Sequence, residues 1–72
     1  MESLDLHGVK HRDAEELVDS FIGHQFNNLP VEIITGNSLD MQSIVRKIIN
    51  YYKLKMNPTN HFNLGSYIIS HD

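Results

Sequence analysis

No cysteine occurs in the chain. That excludes disulfides, a thiolate nucleophile and any zinc site built on thiolates. No apolar run reaches the length that crosses a bilayer. Met1 to Asp5 has neither the basic start nor the apolar stretch of a secretory leader. The composition thus calls for no oxidising compartment and no membrane, and the expectation is a soluble, cytoplasmic protein. Internal repeats, low-complexity tracts and long disordered tails are also missing. Positive charge is scarce: six lysines and arginines face nine aspartates and glutamates, a formal net charge of −3. Affinity for nucleic acid rests largely on neutralising phosphates, so the few cations matter by position rather than by total. Asp13, Glu15, Glu16 and Asp19 crowd one early stretch, whereas Arg46, Lys47, Lys53 and Lys55 come later. His11, His24, His61 and His71 have no metal-ligand spacing, and no metal site is read from the sequence.

At 72 residues the chain is one domain, 1–72. Its opening alternates Leu4 and Leu6 with Asp5 and His7, a period of two. A strand from Ser3 to His7 would therefore turn Asp5 and His7 away from its leucine face. Gly8 to Lys10 reads as a turn. A helix from His11 to Phe26 follows, with Ala14, Leu17, Val18, Phe21 and Ile22 spaced three and four apart. Its early acids suit the positive end of a helix dipole, although Lys10 is a poor cap. Asn27, Asn28 and Pro30 mark a break. Val31 to Thr35 forms the second strand, with Ile33 and Ile34 on opposite faces, so its outer face is at least partly covered. Gly36, Asn37 and Ser38 turn the chain into a second helix, Met41 to Tyr52, capped by Ser38 or Asp40. The stripe Met41, Ile44, Val45, Ile48, Ile49 and Tyr52 is the clearest helical period in the chain. Lys55 and Met56 open a short third strand, Asn57 to Asn60 reads as a turn, and Gly65 to Ser70 is the last strand. The fold class is α/β: a two-layer sandwich, β-α-β-α-β-β, with a four-stranded mixed sheet and two helices on one face. The expected strand order is 1-2-4-3, which puts the proline-bearing strand at an edge.

A helix joins strands one and two, so they run parallel and their carboxyl ends share one edge of the sheet. One end brings Asp5, His7 and Gly8; the other brings Thr35, Gly36, Asn37 and Ser38. Helix two begins there with unsatisfied N–H groups, a ready anion site. Open α/β sheets bind ligands at such edges. A histidine side chain changes charge near neutrality, so His7 is a residue type suited to acid or base work there. Asp5 could orient it, stay ionised beside it or help hold Mg²⁺ or Mn²⁺. Lys10 and Arg12 flank the first turn, and Arg46 and Lys53 lie on the outer face of helix two. A plainer account stands beside each reading. Asp-x-His is common, Gly8 and Gly36 serve as turn glycines, and the basic residues are ordinary solvated positions. Tyr52 reads as a core-edge residue. Tyr51 and Tyr67 read as partly exposed, but isolated tyrosines make no stacking platform.

From Leu4 to about Ser70 this pattern resembles the small MutS-related (Smr) domain. The resemblance rests on LDLHG at residues 4–8, a helix, a strand ending in Thr35-Gly36, a second amphipathic helix, and Gly65 followed by a β run. It implies a two-layer α/β fold similar to the C-terminal domain of a bacterial translation initiation factor. It also implies binding of DNA or RNA, with nicking or cleavage in several members, in recombination control, DNA repair or ribosome-linked RNA quality control. Asp5 and His7 match the family's first functional element, as catalytic candidates, and Thr35 and Gly36 match its second. Gly8, Lys10, Arg12, Thr35, Gly36, Asn37, Ser38, Arg46 and Lys53 are the candidate nucleic-acid contacts. After Thr-Gly the family usually has a basic residue and another glycine, where this chain has Asn37 and Ser38. Losing one charged hydrogen bond costs about 1.5–3 kcal/mol, so weak nicking is the expectation. Two other readings remain open. One is a non-catalytic module that binds a protein or ribosome-associated partner; the other is a pocket for a small phosphorylated ligand at helix two.

Overall fold

The computed structural model describes residues 1–60, 62 and 64–72; His61 lies outside the described residues. β1 (Ser3–Asp5) leads into α1 (His11–Gln25) and one 3-10 turn, Phe26–Asn28. β2 (Val31–Ile34) leads into α2 (Leu39–Tyr51), and β3 (Lys55–Pro58) and β4 (Ser66–Ser70) complete the sheet. The strand order is β1-β2-β4-β3, as the sequence suggests. β1 and β2 are parallel, with Leu4 opposite Ile33. β4 runs antiparallel to both neighbours, setting Tyr67 against Ile33 and Ile69 against Met56.

Alternation along these strands builds the core. Leu6, Val31, Ile33, Tyr67 and Ile69 are buried in one cluster with Ala14, Val18 and Ile22 of α1 and Met41, Val45, Ile48 and Ile49 of α2. Both helices therefore cover the same face of the mixed sheet, as expected of a two-layer α/β fold. Tyr67 corrects an expectation of partial exposure: its register beside Ile33 turns it inward. Tyr51 is exposed and Tyr52 half-buried. On the open face, Ile34 and Glu32 are half-buried. Glu32 accepts from the hydroxyls of Ser66 and Ser3, so its carboxylate is satisfied between neighbouring strands.

Several boundaries differ from the sequence reading for local reasons. β1 stops at Asp5, two residues early, because the chain is already turning at Leu6. β3 continues through Asn57 and Pro58, which pair with Ile68 and Tyr67. β3 is an edge strand, where proline's missing N–H has no ladder to break. α2 begins at Leu39, because the Ser38 hydroxyl accepts the Met41 N–H at 3.1 Å and fixes the cap there. α1 starts from Lys10 without a side-chain cap, as its sequence implies. No helix among the described residues is long and apolar enough to cross a membrane.

Candidate functional site

Three loops meet at the carboxyl edge of β1 and β2. The Leu6 N–H donates to the Ile34 carbonyl at 2.9 Å and is the last link between the two strands. The chain then turns: the Leu6 carbonyl accepts the Val9 N–H at 3.0 Å. Gly8 takes the positive φ of +78° that the third position of such a turn requires. Leu6 is buried and anchors the turn, leaving His7 and Gly8 exposed. Asp5 is also exposed, and its Oδ1 accepts the His7 backbone N–H at 2.9 Å. The carboxylate therefore braces the backbone that carries His7, and the local geometry gives Asp5 a positioning role.

The second turn is closed differently. Thr35 lies just beyond β2 and is buried. Its N–H and that of Gly36 both donate to the Gly65 carbonyl, at 2.8 and 3.0 Å. The Thr35 hydroxyl donates to the Gly36 carbonyl at 2.8 Å. Gly36 has φ +67°. Gln42 reaches across from α2, its Nε2 donating to the Leu64 carbonyl at 3.1 Å. The β3–β4 loop is thus pinned onto the second turn. The Thr35 and Gly36 N–H groups face this loop rather than a ligand. Those of Leu39 and Asp40, in the first turn of α2, have no partner among the described residues and face the edge. The Asp40 carboxylate sits in that same turn and opposes an anion there.

The sequence-derived residues do not all converge. Asp5, His7 and Gly8 lie in the first turn; Thr35, Gly36, Asn37 and Ser38 form the second, with Asn37 exposed. Lys10 is the exposed N-cap of α1 at the same edge. Arg12 instead lines a groove between the helices with Glu15, Glu16, Asp19, Lys47, Ile48 and Tyr51. Arg46 is exposed about 12 Å along α2 from Ser38, taking about 1.5 Å per residue. Lys53 is about 22 Å away by the same measure. It has a structural reason to be there. At φ +59° it donates its N–H to the Asn50 carbonyl while Leu54 donates to Ile49, a left-handed termination of α2.

The other described histidines are held by the fold or sit on its surface. His24 Nδ1 lies 2.8 Å from the Ser20 carbonyl oxygen, and His71 Nε2 lies 3.1 Å from that of Phe26. His11 is exposed at the start of α1. Among the described residues no three His, Asp or Glu side chains gather as a metal site. Among the described residues one titratable group is displaced: the hydrogen bond to Asp19, then desolvation, raises the Tyr52 phenol above its ordinary 10.0. It lies between the helices, away from the edge. Sequence reasoning missed Gln42 and Leu64, which shape the second turn through a contact across 22 positions. A glutamine on a half-exposed helix face carries no local signal of that role. Comparison with protein-family models, with curated proteins and with solved structures finds no match to this chain.

Proposed function

We propose that this domain binds nucleic acid at the edge formed by its two βα turns, and that it nicks a phosphodiester weakly through His7. The observation that carries the reading is the exposed His7, braced by Asp5 through its own backbone in the turn that follows β1, the strand paired with β2, which leads into α2. The likeness of LDLHG and Thr35-Gly36 to the Smr pattern supports it. A phosphate at this edge would meet the Leu39 and Asp40 N–H groups and the Lys10 ammonium. His7 would take the proton from a water, or from a 2′-hydroxyl in RNA, as that oxygen bonds to phosphorus; the P–O bond to the departing sugar oxygen breaks, and that oxygen takes a proton from solvent water. Asp5 has one carboxylate oxygen bonded to the His7 N–H. Its other oxygen suits a Mg²⁺ or Mn²⁺ ion held mainly by substrate phosphates and water. The inward N–H groups of the second turn and the Asp40 charge both argue for slow chemistry.

The test is binding and cleavage of labelled single-stranded, duplex and branched DNA and RNA at low salt. It is run with and without Mg²⁺ or Mn²⁺, beside an Asp5→Ala/His7→Ala double variant. Cleavage lost in the double variant supports nicking at the first turn. Binding that persists in it without cleavage by either protein reduces the function to recognition. A folded sample that neither binds nor cuts overturns the reading. A second reading then takes its place: a non-catalytic module for a protein or ribosome-associated partner. The exposed Leu39, Phe62 and Leu64 at this same end favour it.

A further inference from the structure

We infer that Phe62 seats an unpaired base, so that the two-turn edge prefers single-stranded to duplex nucleic acid. This rests on the proposal that the edge holds phosphates, and it names the form of substrate. Phe62 is 98% exposed, the most exposed large apolar side chain among the described residues. Its backbone is nevertheless tied down. The Phe62 N–H donates to Asn60 Oδ1 at 2.9 Å. Two residues on, the Leu64 carbonyl accepts from Gln42, and the Gly65 carbonyl accepts from Thr35 and Gly36. Three Cα steps of about 3.8 Å keep Phe62 within about 11 Å of Gly65, hence beside the second turn. Phe62 thus belongs to the connection between β3 and β4, whose far end is bonded to the second turn through Leu64 and Gly65.

The surroundings favour a base as the occupant. Leu39 is 76% and Leu64 54% exposed at this same end. Three of the six large apolar or aromatic side chains exposed among the described residues are therefore gathered around the second turn. Lys10 and the α2 N–H groups supply few phosphate contacts, and the chain as a whole is acidic. A duplex hides its base faces and is held chiefly through phosphates, so this edge has little to offer it. An unpaired base brings a flat apolar face that an aromatic ring can stack on, with affinity that does not depend on charge.

Fluorescence anisotropy with short labelled oligo-dT and oligo-U strands, and with a duplex, tests the inference. Wild type is compared with Phe62→Ala, Phe62→Trp and a remote control, Leu17→Ala. The substituted ring is exposed, and circular dichroism checks the fold. The expected result is single-strand binding about five- to hundred-fold weaker in F62A, from the ordinary range for one stacked base. The preference over duplex should shrink, F62W should restore it, and L17A should match wild type. The salt dependence should keep its slope in F62A, because no phosphate contact is lost. Wild-type binding that ignores the F62A change overturns the stacking role and leaves the nucleic-acid reading in place. No binding of any strand form by wild type overturns both. Self-association by sedimentation that F62A abolishes would make the patch an interface between copies and also overturn the stacking role.

Discussion

Gly65 lies against Gly36 so closely that a Cβ on Gly65 would sit 3.1 Å from the carbonyl carbon and oxygen of Gly36. The two glycines do different work. Gly36 needs its positive φ and has open space around it, whereas Gly65 needs the absence of a side chain. Gly65→Ala should therefore push backbone against backbone and cost about 1–3 kcal/mol, as overpacking does. Gly36→Ala should cost about 1–2 kcal/mol from the left-handed backbone alone. Urea unfolding of both variants checks the sizes. G65A should also weaken nucleic-acid binding beyond its loss of stability, because the displaced carbonyl is the one holding the Thr35 and Gly36 N–H groups.

Asp5 separates positioning from chemistry. Its Oδ1 accepts the His7 N–H, a bond that an asparagine side chain can also accept. Asp5→Asn should keep both the turn and its stability. Asp5→Ala should lose about 0.5–1.5 kcal/mol, the ordinary net worth of one such bond. If Asp5 only places His7, D5N should retain most of any cleavage while D5A loses it. Loss of activity in a stable D5N variant would require the carboxylate charge itself, through the imidazole or through a metal.

The main architecture was legible because burial and period agree. Met41, Val45, Ile48 and Ile49 repeat at helical spacing and all face the core. Val31 and Ile33 alternate and are buried together. The edge was legible for the same reason: two parallel strands joined by a helix must end on one side. The fate of the second turn was not legible. Its N–H groups are claimed by a carbonyl 30 positions away, at Gly65, and no local pattern announces a bond across that distance. Lys53 shows the converse. Its charge suggested a contact, but its backbone explains its place, as the left-handed residue that ends α2.

That backbone role gives its own expectation. A lysine at φ +59° bears strain that glycine does not. Lys53→Gly should leave the α2 termination intact and raise stability by up to about 1 kcal/mol, offset in part by the freer unfolded chain. Thermal or urea unfolding measures this. Because Lys53 stands about 22 Å from the second turn, K53G should leave nucleic-acid affinity nearly unchanged. A large loss would place the bound strand along the whole length of α2.

The Tyr52–Asp19 bond predicts a pH signature. The Tyr52 hydroxyl donates to Asp19 Oδ1 at 2.6 Å and ties α1 to the end of α2. The bond exists only while the phenol is protonated, which is why its pKa is raised. A raised folded value means the contribution is fully present below the ordinary 10.0 and is lost as pH climbs through the folded value. Tyr52→Phe should therefore be less stable than wild type at neutral pH. The gap should close above about pH 10. Denaturant midpoints across that range, with the ultraviolet titration of tyrosinate, report both quantities.

The departure at Asn37 and Ser38 has two parts that respond differently to reversal. Ser38 caps α2 through the Met41 N–H, so this position is held by a folding role. Ser38→Ala should cost about 1 kcal/mol, whereas Ser38→Gly should cost only a few tenths. Asn37 is exposed and carries no such duty among the described contacts. Asn37→Lys returns a cation next to the start of α2 without touching the cap. If phosphate lies there, N37K should tighten binding about tenfold at low salt, the size of one charged hydrogen bond. It should also steepen the logarithmic salt dependence by about 0.7–0.9, the increment for one further phosphate neutralised. The double change N37K/S38G should bind as tightly as N37K with little loss of stability. Equal binding by wild type and N37K would move the phosphate away from this turn. The weak charge of the edge would then have to be explained by a partner recognised through Leu39, Phe62 and Leu64 rather than through phosphates.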